Sequence, residues 1–132
     1  MTDFAAALGK VIYDRLAAQV SLAGVYQHVP ENTQPPVVIV GDMDFENDGD
    51  KAGALFRYSV QIVAVIQGPS RKPLNALMTQ VFDALNEWTP AATASVRFGP
   101  ATVETGSGQE IQGEQGPVYF GQQQAVLYVQ AA

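Results

Sequence analysis

Residues 55–67, LFRYSVQIVAVIQ, decide the fold. Tyr58, Val60, Ile62, Ala64 and Ile66 share one face at period two, which is the signature of a strand with a buried side. Arg57, Ser59, Gln61, Val63, Val65 and Gln67 share the other. That second face starts polar and turns apolar, so its far end is expected to be covered. Gly68-Pro69-Ser70 ends the strand. Beyond it the period changes: Leu74, Leu77, Met78, Val81, Phe82, Leu85 and Trp88 trace one helical stripe, with Ser70 as a cap, Pro73 in the first turn and Thr89-Pro90 as the stop.

Upstream, Phe4, Leu8, Val11, Ile12, Leu16 and Val20 recur at steps of three and four and predict an amphipathic N-terminal helix. Thr2 or Asp3 caps it, and Gly24 lies just past its last turn. Val25 to Val29 reads as a short strand stopped by Pro30. Residues 31–36 read as a loop, and Val37-Val38-Ile39-Val40 as a β-branched strand buried on both faces that ends at Gly41. Residues 41–54, GDMDFENDGDKAGA, are acidic and admit two readings, a flexible loop or a strand pair turning at Asn47-Asp48-Gly49. In the last third, Ser95 to Phe98 and Ala101 to Val103 flank Gly99-Pro100. Residues 105–117, TGSGQEIQGEQGP, read as a flexible exposed loop or hairpin tip. Val118-Tyr119-Phe120, a bulge at Gly121 and residues 122–130 form a terminal strand. The expected architecture is α+β, a mostly antiparallel sheet with two helices packed on one face, in one domain over residues 1–132.

Composition narrows the function. The chain has 132 residues, of which 47% are hydrophobic and 15% charged, enough apolar material for a core. Thirteen acids against seven bases give a net charge of −6, contrary to the basic surface that displaces counterions from nucleic acid. Zero cysteines remove disulfides, thiolate zinc sites and a cysteine nucleophile. The opening MTDFAAALGKVIYDR has no apolar signal core, and no uncharged stretch is long and unbroken enough to suggest a membrane span.

Three places invite a chemical reading. His28 is the lone histidine; with Glu31 nearby but no G-x-S-x-G elbow (Ser107 sits in TGSGQ), it reads as an ordinary strand or surface histidine. Asp44, Glu46, Asp48 and Gly49 match positions one, three, five and six of a calcium loop, but the twelfth position is Leu55, where a bidentate glutamate is needed. The five carboxylates Asp42, Asp44, Glu46, Asp48 and Asp50 therefore read as a charged turn or contact surface, with a small metal- or ligand-binding module as the alternative. Arg71-Lys72 is a basic pair too small to hold DNA. No catalytic, cofactor-binding or metal-binding residue is assigned, and an enzyme is not expected.

The order of these pieces resembles a known family. An amphipathic helix leads through Gly24-Val25-Tyr26-Gln27-His28-Val29-Pro30 to the Pro-led strand Pro36-Val37-Val38-Ile39-Val40. An acidic turn ending Asp50-Lys51, the strand Tyr58-Ser59-Val60-Gln61-Ile62 and a helix from Leu74 through Ala84-Leu85 follow. This layout resembles the tail-completion proteins of long-tailed phages and gene transfer agents, and is similar to the lambda-type tail terminator. It fits well over residues 4–88, loosely in the last strand and poorly over 89–117. The resemblance implies a subunit assembled in the bacterial host cytoplasm into a ring, commonly a hexamer, at the virion neck. Its expected partners are further copies of itself, the tail tube protein and a head-side connector or stopper, with DNA passing through the lumen unbound and no membrane involved. Such a ring ends tube polymerisation and joins tail to head; another neck component, a stopper or adaptor, is the alternative.

Overall fold

A computed structural model describes residues 3–49 and 55–132. The elements are α1 (Phe4–Gln19), β1 (Gly24–Tyr26), β2 (Val37–Asn47), β3 (Leu55–Gln67), α2 (Lys72–Leu85), β4 (Val96–Phe98), β5 (Thr102–Gly113) and β6 (Gly116–Ala131). The fold is α+β. One six-stranded sheet runs β1-β2-β3-β6-β4, with β5 also paired to β6. Only β1 and β2 pair in parallel; the pairings of β2, β3, β4, β5 and β6 are antiparallel. Along β6, residues 118–130 pair with β3 on one side. On the other side β5 and then β4 follow each other down the same edge.

The alternation read in residues 55–67 holds along the strand. Tyr58, Val60, Ile62, Ala64 and Ile66 are buried, and they form one core cluster with Leu8, Ile12 and Leu16 of α1 and Leu74, Leu77, Val81 and Leu85 of α2. Both helices therefore cover the same face of the sheet. Val63, Val65, Gln61 and Phe120 lie on the opposite face and remain half-exposed.

Side chains pin the helices to each other. The Arg15 Nε donates to the Ala84 carbonyl at 2.8 Å, and its guanidinium lies 5.4 Å above the Trp88 ring. The Gln80 amide oxygen accepts from the backbone of Ser21 and Leu22 at 3.1 and 3.2 Å, while its nitrogen donates to the Ser21 hydroxyl at 2.9 Å. Close approach sets two glycines. A Cβ on Gly9 would meet the Gln27 amide oxygen at 2.8 Å and Met43 at 3.3 Å, and one on Gly121 would collide with the Met78 sulfur. The Met78 side chain thus occupies the space that any larger residue at 121 would need.

Several boundaries differ from expectation, each for a local reason. Asp3 caps α1 by accepting from the Ala6 amide at 3.0 Å, but the helix closes at Val20, four residues before Gly24, which opens β1. β1 stops at Tyr26, because β2 offers it only Val37, Val38 and Ile39 as partners. β2 does not end at Gly41: after a register shift between Val40 and Met43 it continues to Asn47 along β3, and the Asp48 amide donates to the Leu55 carbonyl at 2.7 Å. Residues 41–47 of the expected loop are therefore strand, and residues 50–54 lie outside the described residues. Alternation makes an acidic strand tolerable here, since Asp42, Asp44 and Glu46 are all exposed.

α2 begins with Arg71 at its cap without a side-chain cap bond, not with Ser70, and it ends at Leu85 before Trp88. Phe82, read as core, is 41% exposed on the outer side of the helix. The stretch expected as a loop at 105–117 is mostly strand: residues 105–113 pair one by one with β6 and turn at 113–116. Its glycine and glutamine content suits this place. Gly106 and Gly108 face the helix layer, where Met78 and Leu74 come within 4.0 and 3.7 Å of their would-be Cβ positions. β6 has no bulge at Gly121 toward β3, where Gly121 pairs with Ala64 in continuous register; the irregularity in this region falls between Val103 and Thr105 of β5.

Candidate assembly surfaces

The residues singled out for chemistry are not brought together. His28 lies exposed in the bend after β1, with Glu31 exposed beyond it. Ser107 pairs with Gln122 at the opposite edge, four strand spacings or about 19 Å across the sheet. The calcium-loop register fails geometrically as well as in its last ligand: Asp44 and Glu46 are alternate residues of an extended strand, about 6.6 Å apart, and cannot wrap an ion as successive loop ligands do. Across β3 they oppose Ser59 and Arg57, and the Arg57 guanidinium bonds both oxygens of Glu104 at 3.1 Å. Among the described residues, no group of three His, Cys, Asp or Glu side chains is positioned to hold a metal ion. Trp88 is a half-buried lid under Arg15, and Arg71 lies over the Tyr119 ring at 5.7 Å.

What the sheet does present are surfaces. At the β2–β3 end an aromatic cluster forms: Phe4 against Phe56 at 5.5 Å, and Phe45 at 5.7 Å from Phe56 and 5.5 Å from Tyr58. Three of these rings are at least half-buried, whereas Phe45 is 60% exposed between Asp44 and Glu46. At the other end of β3, a groove of about 300 Å³ opens between Leu22, Pro36, Ile66, Gln67, Pro73 and Ala76. The helix-free face carries a glutamine belt. Gln61 Nε2 donates to Gln122 Oε1 at 2.8 Å, beside Gln124, Thr105 and Ser107. Past the belt the same face turns apolar through Val63, Val65 and Phe120, which stay half-exposed; the cover expected over this end is not supplied by the described residues, because both helices pack on the other face.

Two polar details fix the β5–β6 hairpin to the body. Val103 N donates to the Asn86 side chain at 3.1 Å, and Ala101 N to the Trp88 carbonyl at 2.7 Å, clamping the start of β5 to the exit of α2. Farther out, hydrogen bonding to the Glu110 carboxylate raises the Tyr119 phenol above its usual pKa, with burial and the Glu110 charge adding to it and Arg71 opposing. Under α2, Gln123 donates to the Met78 carbonyl at 3.0 Å, while its buried Oε1 lacks a hydrogen-bond partner.

The described residues thus form a helix-covered core with apolar and aromatic patches at its ends and on its free face. The family the chain falls in is specific: residues 10–112 match the family described as "Tail completion protein gp17", and the chain belongs to that family. The match runs through residues 89–112, a stretch whose sequence pattern fitted the resemblance poorly. The chain is a structural component of a phage-type tail or neck. The fold is similar to a chain in a solved structure titled "Virion of native gene transfer agent (GTA) particle", with a TM-score of 0.77, 20% identity and 96% of each chain covered. No curated protein sequence matches. No helix among the described residues is long and apolar enough to cross a membrane.

The sequence alone did not point to Phe45 as a surface residue or to the groove at Ile66. A signal for Phe45 was present in the alternation Asp42, Asp44, Glu46, which places Met43 and Phe45 together on the other face. The groove joins residues from four segments and has no local signature.

Proposed function

We propose that the protein forms a closed ring, a hexamer, at the head-proximal end of the tail tube, where it stops tube growth and offers its far side to a head-side connector or stopper. Membership of the tail-completion family carries this reading. The distribution of surface supports it. A ring closes through heterologous contacts, which require two different patches on each subunit, and the aromatic cluster and the groove lie at opposite ends of β3. The net charge of −6 suits a channel through which DNA passes without binding, since a negative wall repels phosphate. The subunit is made in the bacterial host cytoplasm and ends in the neck of the particle.

Deletion of the gene tests the reading. Tubes of uncontrolled length and unjoined heads are expected, with purified protein restoring both tube length and joining. Normal tube length with only the joining lost would assign the protein to a stopper or adaptor position instead.

A further inference from the structure

The ring reading leaves open which surfaces meet, and the inference here rests on that reading. Phe45 is the most exposed large apolar side chain among the described residues, yet its ring is braced by Phe56 and Tyr58. A rigid, exposed aromatic is the residue type that anchors interfaces, because little side-chain freedom remains to be lost on docking. The groove at Leu22, Pro36, Ile66, Pro73 and Ala76 has room for such a ring at about 300 Å³, and Leu22 on its wall is 49% exposed. Within one chain the two cannot meet. Phe45 pairs with Tyr58 and the groove includes Ile66, so about 26 Å of strand separates them.

Charge selects the pairing. Beyond Ile39 β2 is a sheet edge among the described residues: Phe45 projects on the helix side and the exposed carboxylates Asp44 and Glu46 on the other, so a neighbour that wraps this edge meets both. The groove borders the start of α2, where Arg71 and Lys72 are exposed and the first turn carries no acid. Cations at a helix N-terminus add to its positive end instead of offsetting it, so this corner favours an anionic neighbour. Of the other described bases, Lys10 pairs with Asp14, Arg15 with Ala84 and Trp88, and Arg57 with Glu104, while Arg97 is exposed on β4 beside Gln130, at the end of the sheet opposite the groove. Arg71 lies over the Tyr119 ring, whose phenol Glu110 also holds, and Lys72 adjoins Pro73 in the groove wall.

We propose that Phe45 of one copy enters the Leu22, Pro36, Ile66, Pro73 and Ala76 groove of the next copy, with Asp44 and Glu46 meeting Arg71 and Lys72. The contact is head-to-tail, so repeating it builds a ring or an open chain and never a two-fold dimer.

The absence of cysteine from the sequence makes the test clean. Asn47→Cys and Asn75→Cys lie beside the anchor and the groove, are exposed, and leave the named contacts intact. In the assembled full-length protein, a short bismaleimide is expected to join Asn47→Cys to Asn75→Cys in a mixture, and to turn the double variant into a ladder ending at the ring size. Neither single variant alone should cross-link. Phe45→Ala should weaken self-association at least about tenfold, and Lys72→Glu should do so in a way that Glu46→Lys restores. Assembly of normal size without the 47-to-75 link, unmoved by Phe45→Ala, overturns this contact and leaves the ring reading standing. A chain that stays monomeric in solution and at tube ends overturns both.

Discussion

The two faces of the sheet carry similar side chains to opposite ends. Ile62, Ala64 and Ile66 on one face are buried under α1 and α2, whereas Val63 and Val65, their immediate neighbours in sequence, stay half-exposed on the other. The first face is finished by the chain itself except at its two ends, where Phe45 and the groove at Ile66 stay open. The second has the composition of a surface awaiting another molecule: a glutamine belt, then an apolar band. The contrast separates residues that hold the subunit together from residues available for assembly, and it can be broken by mutation.

The largest effects belong to the helix-covered face. Ile12→Ala or Ile62→Ala is expected to cost about 2–5 kcal/mol in chemical denaturation, because each removes a fully packed side chain and leaves a cavity. Gly121→Val should cost about 1–3 kcal/mol by driving into Met78, and Met78→Ala in the same chain should recover part of that loss. On the open face, Val63→Thr should change stability by less than about 1 kcal/mol while lowering the yield of assembled particles. An equal loss of stability at 62 and 63 would erase the distinction between the faces.

The smallest effects test polar groups at the margin. Gln123→Met exchanges a hydrogen bond to Met78, and a buried oxygen without a partner, for an apolar side chain of similar length. It should leave stability within about 1 kcal/mol, on either side of zero. Tyr119, whose folded pKa is raised, contributes stability that is fully present below the unfolded value of 10.0 and lost as pH rises through the folded one. Alkaline titration followed by tyrosine absorbance should therefore show loosening only above about pH 10, and Glu110→Gln should move its onset toward lower pH.

How much of this was legible in the sequence follows the same division. Where one side of an element is buried by its own chain, the apolar period survives, and the residues of α1, β3 and α2 announce themselves. The second half of β2 and most of β5 were hidden because their structure comes from neighbouring strands. Asp42 to Glu46 extend along β3, and the Gly- and Gln-rich residues 105–113 extend along β6, whatever their own propensity. Phe82 misled for the converse reason: it lies on the edge of a helical stripe whose angular width the spacing does not fix, and it falls outside the core. The contact surfaces were the least legible. Phe45 is buried in an acidic word of sequence, and the groove at Ile66 is assembled from residues far apart in the chain.

Electron cryomicroscopy of particle necks bears most directly on the claim that this subunit caps the tube. A single ring into which α1, α2 and the six-stranded sheet fit, seated between the last tube ring and the head-side connector, is the expected result. Density for this fold repeated along the tube, or its absence from mature particles, would contradict the account.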